Sequence, residues 1–226
     1  MDIIRCQQLS KTYAVGSLET TVLKTIDLTI RERDFVGIIG PSGSGKSTLL
    51  YVLSGLEEAS SGTVTFLEQP FSVLPEAKRA SFRKQEIGFV FQFYNLVPNL
   101  TVRENIELAT VLSKRSDPLS VQEVLNWVGL TTAEHRYPHQ LSGGMQQRAA
   151  IARCLANRPR IIFADEPTGN LDTENGKEVM QLFARLNKET GVTIVLVTHS
   201  PDNLEYCNRV VRLIDGRIVA DEVRSV

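Results

Sequence analysis

The chain holds 226 residues, 42% hydrophobic and 23% charged, proportions of one large globular domain or of a core with a smaller subdomain. They exclude collagen-like, coiled-coil and disordered chains. With 25 Lys and Arg against 26 Asp and Glu, the net charge of -1 offers no general field for nucleic acid or an anionic membrane, so no nucleic-acid partner is expected.

The longest uncharged stretch, 87–102, is interrupted by Gln92, Asn95, Pro98 and Asn99. It falls short of the about 20 apolar residues of a membrane-spanning helix, and a soluble chain is expected. The opening Met1-Asp2-Ile3-Ile4-Arg5 lacks the basic start and apolar middle of a signal peptide, which predicts a cytoplasmic location. Cys6, Cys154 and Cys207 are odd in number, far apart and without a C-x-x-C pair, so they read as small, mostly buried side chains. His135 and His139 are separated by Pro138 and do not read as a helical metal pair.

Along the chain, Ile26, Leu28 and Ile30 alternate with Asp27 and Thr29, and Gly62 introduces the β-prone run 63–67. These predict a small antiparallel sheet beside the main core. The runs 35–39, 161–164 and 193–197 are apolar throughout, as in strands buried on both faces. Between the first two, helices are predicted over 102–114, over 121–128 closed by Gly129, and over 145–156. A hairpin is expected at 210–220 around Asp215-Gly216. The fold class is α/β, with residues 1–92 and 158–226 as a catalytic core and 93–157 as a helical subdomain.

The first buried run leads into Gly40-Pro41-Ser42-Gly43-Ser44-Gly45-Lys46-Ser47, which fits G-x-x-x-x-G-K-(S/T) between a strand and a helical run at 48–53. Glycines at 40, 43 and 45 let backbone N–H groups turn onto phosphate oxygens, and the helix adds its positive end. Lys46 would reach the β and γ phosphates, and Ser47 would give its hydroxyl to Mg2+. Together with Thr48, these residues form the candidate nucleotide site.

The second buried run ends in Asp165-Glu166, two carboxylates at a strand end. Asp165 would hold Mg2+ and Glu166 would polarise the attacking water, which points to hydrolysis. The third run ends in His199, placed to contact the γ-phosphate or the water.

Ser142-Gly143-Gly144-Met145-Gln146 opens a further helix, with Ser142 as its N-cap. Its two glycines make a second anion-binding helix end. One nucleotide would not need both ends from the same chain. A head-to-tail dimer, in which this loop closes over ATP held by a second copy, accounts for the pair.

In this order, Gly40 to Ser47, Gln92, Leu141 to Met145, Ile161 to Glu166, Leu171-Asp172 and His199 resemble the ATP-binding cassette (ABC) ATPases over nearly the whole chain. The resemblance implies a P-loop NTPase of ABC type, with a mainly parallel core sheet, an antiparallel β subdomain and a helical subdomain. It also implies that Tyr13 stacks on adenine and that Gln92 contacts Mg2+ or the attacking water while sensing a transmembrane partner. By the same resemblance Ser142, Gly143, Gly144, Met145 and Gln146 act in trans, and Asp172 belongs to the D-loop joining two active sites. Met145 departs from the usual Gln or Glu of the signature and removes one polar contact.

The spacer 16–22, the run 87–98 and Asp165 to Asp172 are similar to the branch serving lipoprotein release, macrolide and antimicrobial-peptide export, and cell-division signalling. That likeness implies separate permease subunits, an extracytoplasmic adaptor and attachment to the inner face of the membrane. The apolar Phe91, Phe93, Tyr94, Leu96, Val97 and Leu100 divide between core and a groove for a permease helix.

The expected activity is ATP hydrolysis that powers a permease for export. The alternative is an ATP-driven signalling or cell-division regulator that acts on a membrane partner without transport. A GTPase is disfavoured because no N-K-x-D motif is present, and a small-molecule kinase would leave Glu166 and the second glycine loop unexplained.

Overall fold

The computed structural model describes residues 1–16, 18–113 and 115–224. In chain order its elements are β1 (Asp2–Val15), β2 (Leu18–Arg31), β3 (Phe35–Ile39), α1 (Lys46–Leu53), β4 (Ser61–Phe66), α2 (Glu76–Glu86), β5 (Ile87–Phe91) and α3 (Val102–Ser113). They continue with α4 (Val121–Val128), α5 (Gly143–Leu155), β6 (Ile161–Asp165), α6 (Thr173–Thr190), β7 (Thr193–Thr198), β8 (Arg209–Ile214) and β9 (Arg217–Val223). The chain divides into two compact units, Met1–Ala80 with Thr193–Val226, and Ser81–Val192. No helix among the described residues is long and apolar enough to cross a membrane.

In the first unit β1 lies between β2 and β4 and pairs antiparallel with both, forming the small sheet expected from the alternation in β2. Ile26, Leu28 and Ile30 are buried there, while Asp27 is exposed. The strand starts earlier than that alternation. Glu19, Thr20 and Thr21 pair with Ala14, Tyr13 and Thr12, in a stretch that the sequence presents as a spacer. All three are exposed, so strand propensity acts there without a buried face to print a period of two. Ser17, within that spacer, lies outside the described residues.

β3 is buried at every residue and pairs in parallel with β7 on one side and β8 on the other. β9 turns back antiparallel on β8 through Asp215 and Gly216, both left-handed at φ 47° and 76°, as a two-residue hairpin requires.

The second unit holds the parallel pair β5 and β6 together with α3 to α6. α5 packs against α3, α4, α6 and β5. Its Ala149, Ala150 and Ala152 are buried, and their small side chains let neighbours approach closely. It begins at Gly143, two residues before the predicted start, because Ser142 caps it by accepting a hydrogen bond from Met145 N. α4 shows a reciprocal capping box between Ser120 and Glu123 and ends on Gly129 in the left-handed region, as predicted. α3 ends at Ser113; Lys114, the predicted last residue, lies outside the described residues.

Two helices went unassigned from the sequence. α2 buries only Arg79, so it has no apolar stripe to read. α6 carries the full set of signals: Asp172 as N-cap, buried Val179, Phe183 and Leu186 at helical spacing, and left-handed Gly191 at its end.

Candidate functional site

In the first unit, β3 delivers the chain into the glycine-rich loop, and Gly45 turns it into α1. Gly45 is the N-cap at φ 98°, a conformation that side chains other than glycine rarely adopt. α1 has no side-chain cap and no acidic residue in its first turn, so its leading N–H groups and positive end are kept for an anion. Lys46 Nζ donates to the carbonyls of Gly40 at 3.0 Å and Pro41 at 2.9 Å, which holds the ammonium against the loop. Pro41, Ser42 and Gly43 are exposed, whereas Ser47 and Thr48 are half-buried. Ser44 is buried, and its Oγ has no hydrogen-bond partner among the described residues. An orphaned hydroxyl in a glycine-rich loop at an uncapped helix start fits a phosphate.

Tyr13 stands in β1 of the same unit. Its hydroxyl donates to the Glu57 carboxylate, and Lys11 Nζ lies 4.8 Å from its ring centroid. Burial first, and then the Glu57 carboxylate, raise the phenol pKa. The ring is therefore fixed at its edge. His199 follows the end of β7 and is exposed.

In the second unit β6 ends on buried Asp165, and Glu166 follows in the left-handed region at φ 47°. Such a conformation is uncommon for glutamate, and backbone strain of this kind concentrates at functional sites. Gln92 follows β5 and is joined to Asn170, Nε2 donating to Oδ1 at 2.9 Å. Asp172 caps α6, accepting from Asn175 N at 2.8 Å and from Asn175 Nδ2 at 3.0 and 2.8 Å on its two oxygens. These bonds, the backbone one foremost, lower its pKa and keep it ionised.

At the start of α5, Ser142 is exposed, Gly144 is buried, and Gly143 and Met145 are half-buried. Gln146 spends its amide on the carbonyl of Leu141 at 3.2 Å, just ahead of the helix. Gln147 is fully buried and donates from Nε2 to the carbonyls of Phe91 at 3.2 Å and Pro167 at 2.7 Å. Sequence reasoning missed Gln147, Asn170 and Asn175. Gln147 and Asn170 act through partners 20 or more residues away, which no spacing rule exposes, whereas Asn175 bonds Asp172 three residues before it, at N-cap spacing.

The donors assigned to a metal, the Ser47 hydroxyl, the Gln92 amide and the Asp165 carboxylate, are all hard oxygens. Among the described residues no group of three His, Cys, Asp or Glu gathers to hold an ion. A single carboxylate with neutral oxygens fits Mg2+, which keeps its waters and is carried by phosphate oxygens.

A model of the ABC transporter family matches residues 23–169. The uncharacterised ABC transporter ATP-binding protein MJ1508 of Methanocaldococcus jannaschii is 46% identical over 220 residues, spanning 96% of this chain and 98% of that protein. The lipoprotein-releasing system ATP-binding protein LolD of Geobacter metallireducens is 43% identical over 222 residues, spanning 97% and 99%. Among solved structures, the ATP-binding cassette MJ0796, a dimer in a post-hydrolysis state bound to ADP and Pi, matches with a TM-score of 0.89 at 38% identity, over 99% of both chains. The structure of cbiO1 from Clostridium perfringens, part of the ABC transporter complex cbiONQ, matches at 0.85 and 29% identity, over 98% of this chain and 88% of that one.

Proposed function

The chain belongs to the ABC transporter family and is an ATP-binding, ATP-hydrolysing subunit of that kind; from that premise we propose that two copies bind two ATP molecules head to tail and drive a separate membrane permease, in export of lipoprotein, peptide or drug. The observation that carries the reading is the uncapped, acid-free start of α1 behind an exposed glycine loop, with Lys46 held against it. The dimeric MJ0796 cassette, the cbiONQ complex and the likeness to LolD support the dimer, the permease and the branch. Attachment to the cytoplasmic face of the membrane, through the permease, follows from the same reading.

In this mechanism Tyr13 stacks on the adenine, while N–H groups of the glycine loop at its turn into α1 and the Lys46 ammonium hold the phosphates. When bound, Mg2+ offsets charge on the terminal phosphates; Ser47, Asp165 and Gln92 are the residues that would hold it. Glu166 accepts a proton from the attacking water, and His199 orients the γ-phosphate. Ser142, Gly143 and Gly144 of the second copy, with the start of its α5, close over the same phosphate, and Asp172 links the two sites. Catalysis is thus positional and electrostatic.

The test is Glu166→Gln, which keeps the shape and removes the base. Light scattering should give twice the monomer mass for the variant with Mg-ATP and the monomer mass without it, while only wild type releases phosphate. A variant that turns over ATP at the wild-type rate would overturn the role of Glu166, and a variant that stays monomeric at high concentration would overturn the trans contact of Ser142 to Gly144.

A further inference from the structure

Gln92 and Asn170 are joined by two hydrogen bonds of opposite sense. Asn170 Nδ2 donates to the main-chain carbonyl of Gln92 at 3.1 Å, and Gln92 Nε2 donates to Asn170 Oδ1 at 2.9 Å. This pairing has only one polarity. The carbonyl of Gln92 can only accept, so it takes the NH2 end of Asn170. The other end of that amide is then an acceptor, and it takes the NH2 end of Gln92. The Gln92 oxygen is left as the end turned away from Asn170.

The backbone around the pair is built to seat it. A Cβ on Gly169 would stand 2.9 Å from Gln92 Nε2 and 3.0 Å from its Cδ, so the amide lies against bare main chain. One residue earlier, Gln147 ties the carbonyl of Phe91 to that of Pro167. The strand end that carries Gln92 and the turn that follows Glu166 are thereby held to one another at two points.

We propose that Asn170 is a positioning residue that fixes the Gln92 amide with its oxygen, not its nitrogen, presented to Mg2+ or to the attacking water. A hard cation and a water proton both need an acceptor, and the NH2 end would repel the first and leave the second unbound. The inference rests on the assignment of Gln92 to the catalytic centre. Without Asn170 the two faces of the amide become close in energy, and the wrong end is presented for much of the time. Re-ordering one such side chain corresponds to about a three- to tenfold loss.

The experiment compares wild type with Asn170→Ala, Asn170→Asp, Gly169→Ala and Gln92→Ala. The first readout involves no turnover: the two side-chain amide proton resonances of Gln92, assigned by their loss in Gln92→Ala. Wild type should show them well separated, one proton being hydrogen-bonded. Asn170→Ala should bring them to the shifts of a solvated amide, and Asn170→Asp, which keeps the acceptor, should fall between. The second readout is the Mg2+ concentration at half-maximal ATP hydrolysis. It should rise about three- to tenfold in Asn170→Ala and in Gly169→Ala, with KM for ATP within about twofold of wild type. Unchanged resonances in Asn170→Ala overturn the proposal. So does a shift in resonances with Mg2+ dependence unmoved, if Gln92→Ala is impaired. If Gln92→Ala itself keeps wild-type turnover and Mg2+ dependence, the assignment of Gln92 fails and the proposal falls with it, an outcome distinct from the other two.

Discussion

Gly144 lies against Asn175 so closely that a Cβ on the glycine would stand 2.1 Å from the asparagine Oδ1 and 2.7 Å from its Cγ. The same asparagine gives its NH2 group to both oxygens of Asp172. The glycine loop at the start of α5 and the cap of α6 therefore meet at one amide, which connects two segments assigned to the dimer interface.

Gly144→Ala should displace Asn175 and loosen the Asp172 cap. Forcing one methyl group into a packed contact costs about 1–3 kcal/mol. The expected outcome is a lower urea midpoint together with loss of the Mg-ATP-dependent dimer in the Glu166→Gln background. Gly144→Ala combined with Asn175→Ala removes the two closest contacts, leaving the Cβ of residue 175 at 3.0 Å, and should recover part of the stability with the backbone cap from residue 175 kept and the Nδ2 bonds to Asp172 lost. Strict additivity of the two changes would show that the contact carries no energy.

For Tyr13, the ring and the hydroxyl are separable. If the ring stacks on adenine and the bond to Glu57 only orients it, Tyr13→Phe should hold ATP within about threefold of wild type. Tyr13→Ala should lose about 5- to 100-fold, the span of one base-aromatic stack. Calorimetric titration with ATP checks both, and equal losses in the two variants would sink the stacking role.

The legible parts of this chain are those where one local force dominates. β3, β6 and β7 are buried on both faces, so their sequences are unbroken apolar runs, and the polar residues that end them could be read as chemistry. The P-loop was readable because a phosphate cradle demands glycines at fixed spacing. Apart from α6, whose local signals were complete, what escaped was decided by tertiary pairing. Glu19 to Thr21 extend β2 because β1 offers a partner, and α2 forms with one buried residue, an arginine held by the Glu58 and Glu76 carboxylates. Asn170 was visible as part of a motif, but its partner is 78 residues away. No spacing in the sequence announces that pair.

The cysteines make a pH prediction. Burial pushes the thiols of Cys6 and Cys207 from the ordinary 9.0 up to about 12. A raised folded-state pKa means that the unfolded chain loses the proton first. The stabilisation is complete below about pH 9 and is lost as pH rises from there through about 12. Urea midpoints should fall over that window, and Cys6→Ala with Cys207→Ala should flatten the slope relative to wild type. At pH 8 a thiol reagent should react with Cys6 and Cys207 at the rate of unfolding. Immediate labelling of Cys6 or Cys207 in the folded protein would contradict their burial.

Gln147 supplies the last test, because its burial leaves few ways to replace it. Its Nε2 serves the carbonyls of Phe91 and Pro167, while its Oε1 is buried with no hydrogen-bond partner among the described residues. Gln147→Met keeps the length and removes the donor, leaving the buried Pro167 bond unmade at about 1–3 kcal/mol and the part-buried Phe91 bond at less, partly offset by removing the orphaned oxygen. Gln147→Glu goes further. An ionised carboxylate would face two carbonyl oxygens in the interior, so the folded protein should keep it protonated, with a pKa above that of the unfolded chain. The neutral acid has one O–H and can serve one carbonyl. By linkage, the glutamate variant is then most stable relative to Gln147→Met at pH 4 and loses ground steadily as pH rises to 8. Urea unfolding of the two variants across that range measures the difference directly, and a gap that does not change with pH would mean that water or a rearranged side chain reaches the site. Because the two carbonyls adjoin Gln92 and Glu166 in the chain, both variants should also lose ATP turnover at temperatures where they remain fully folded.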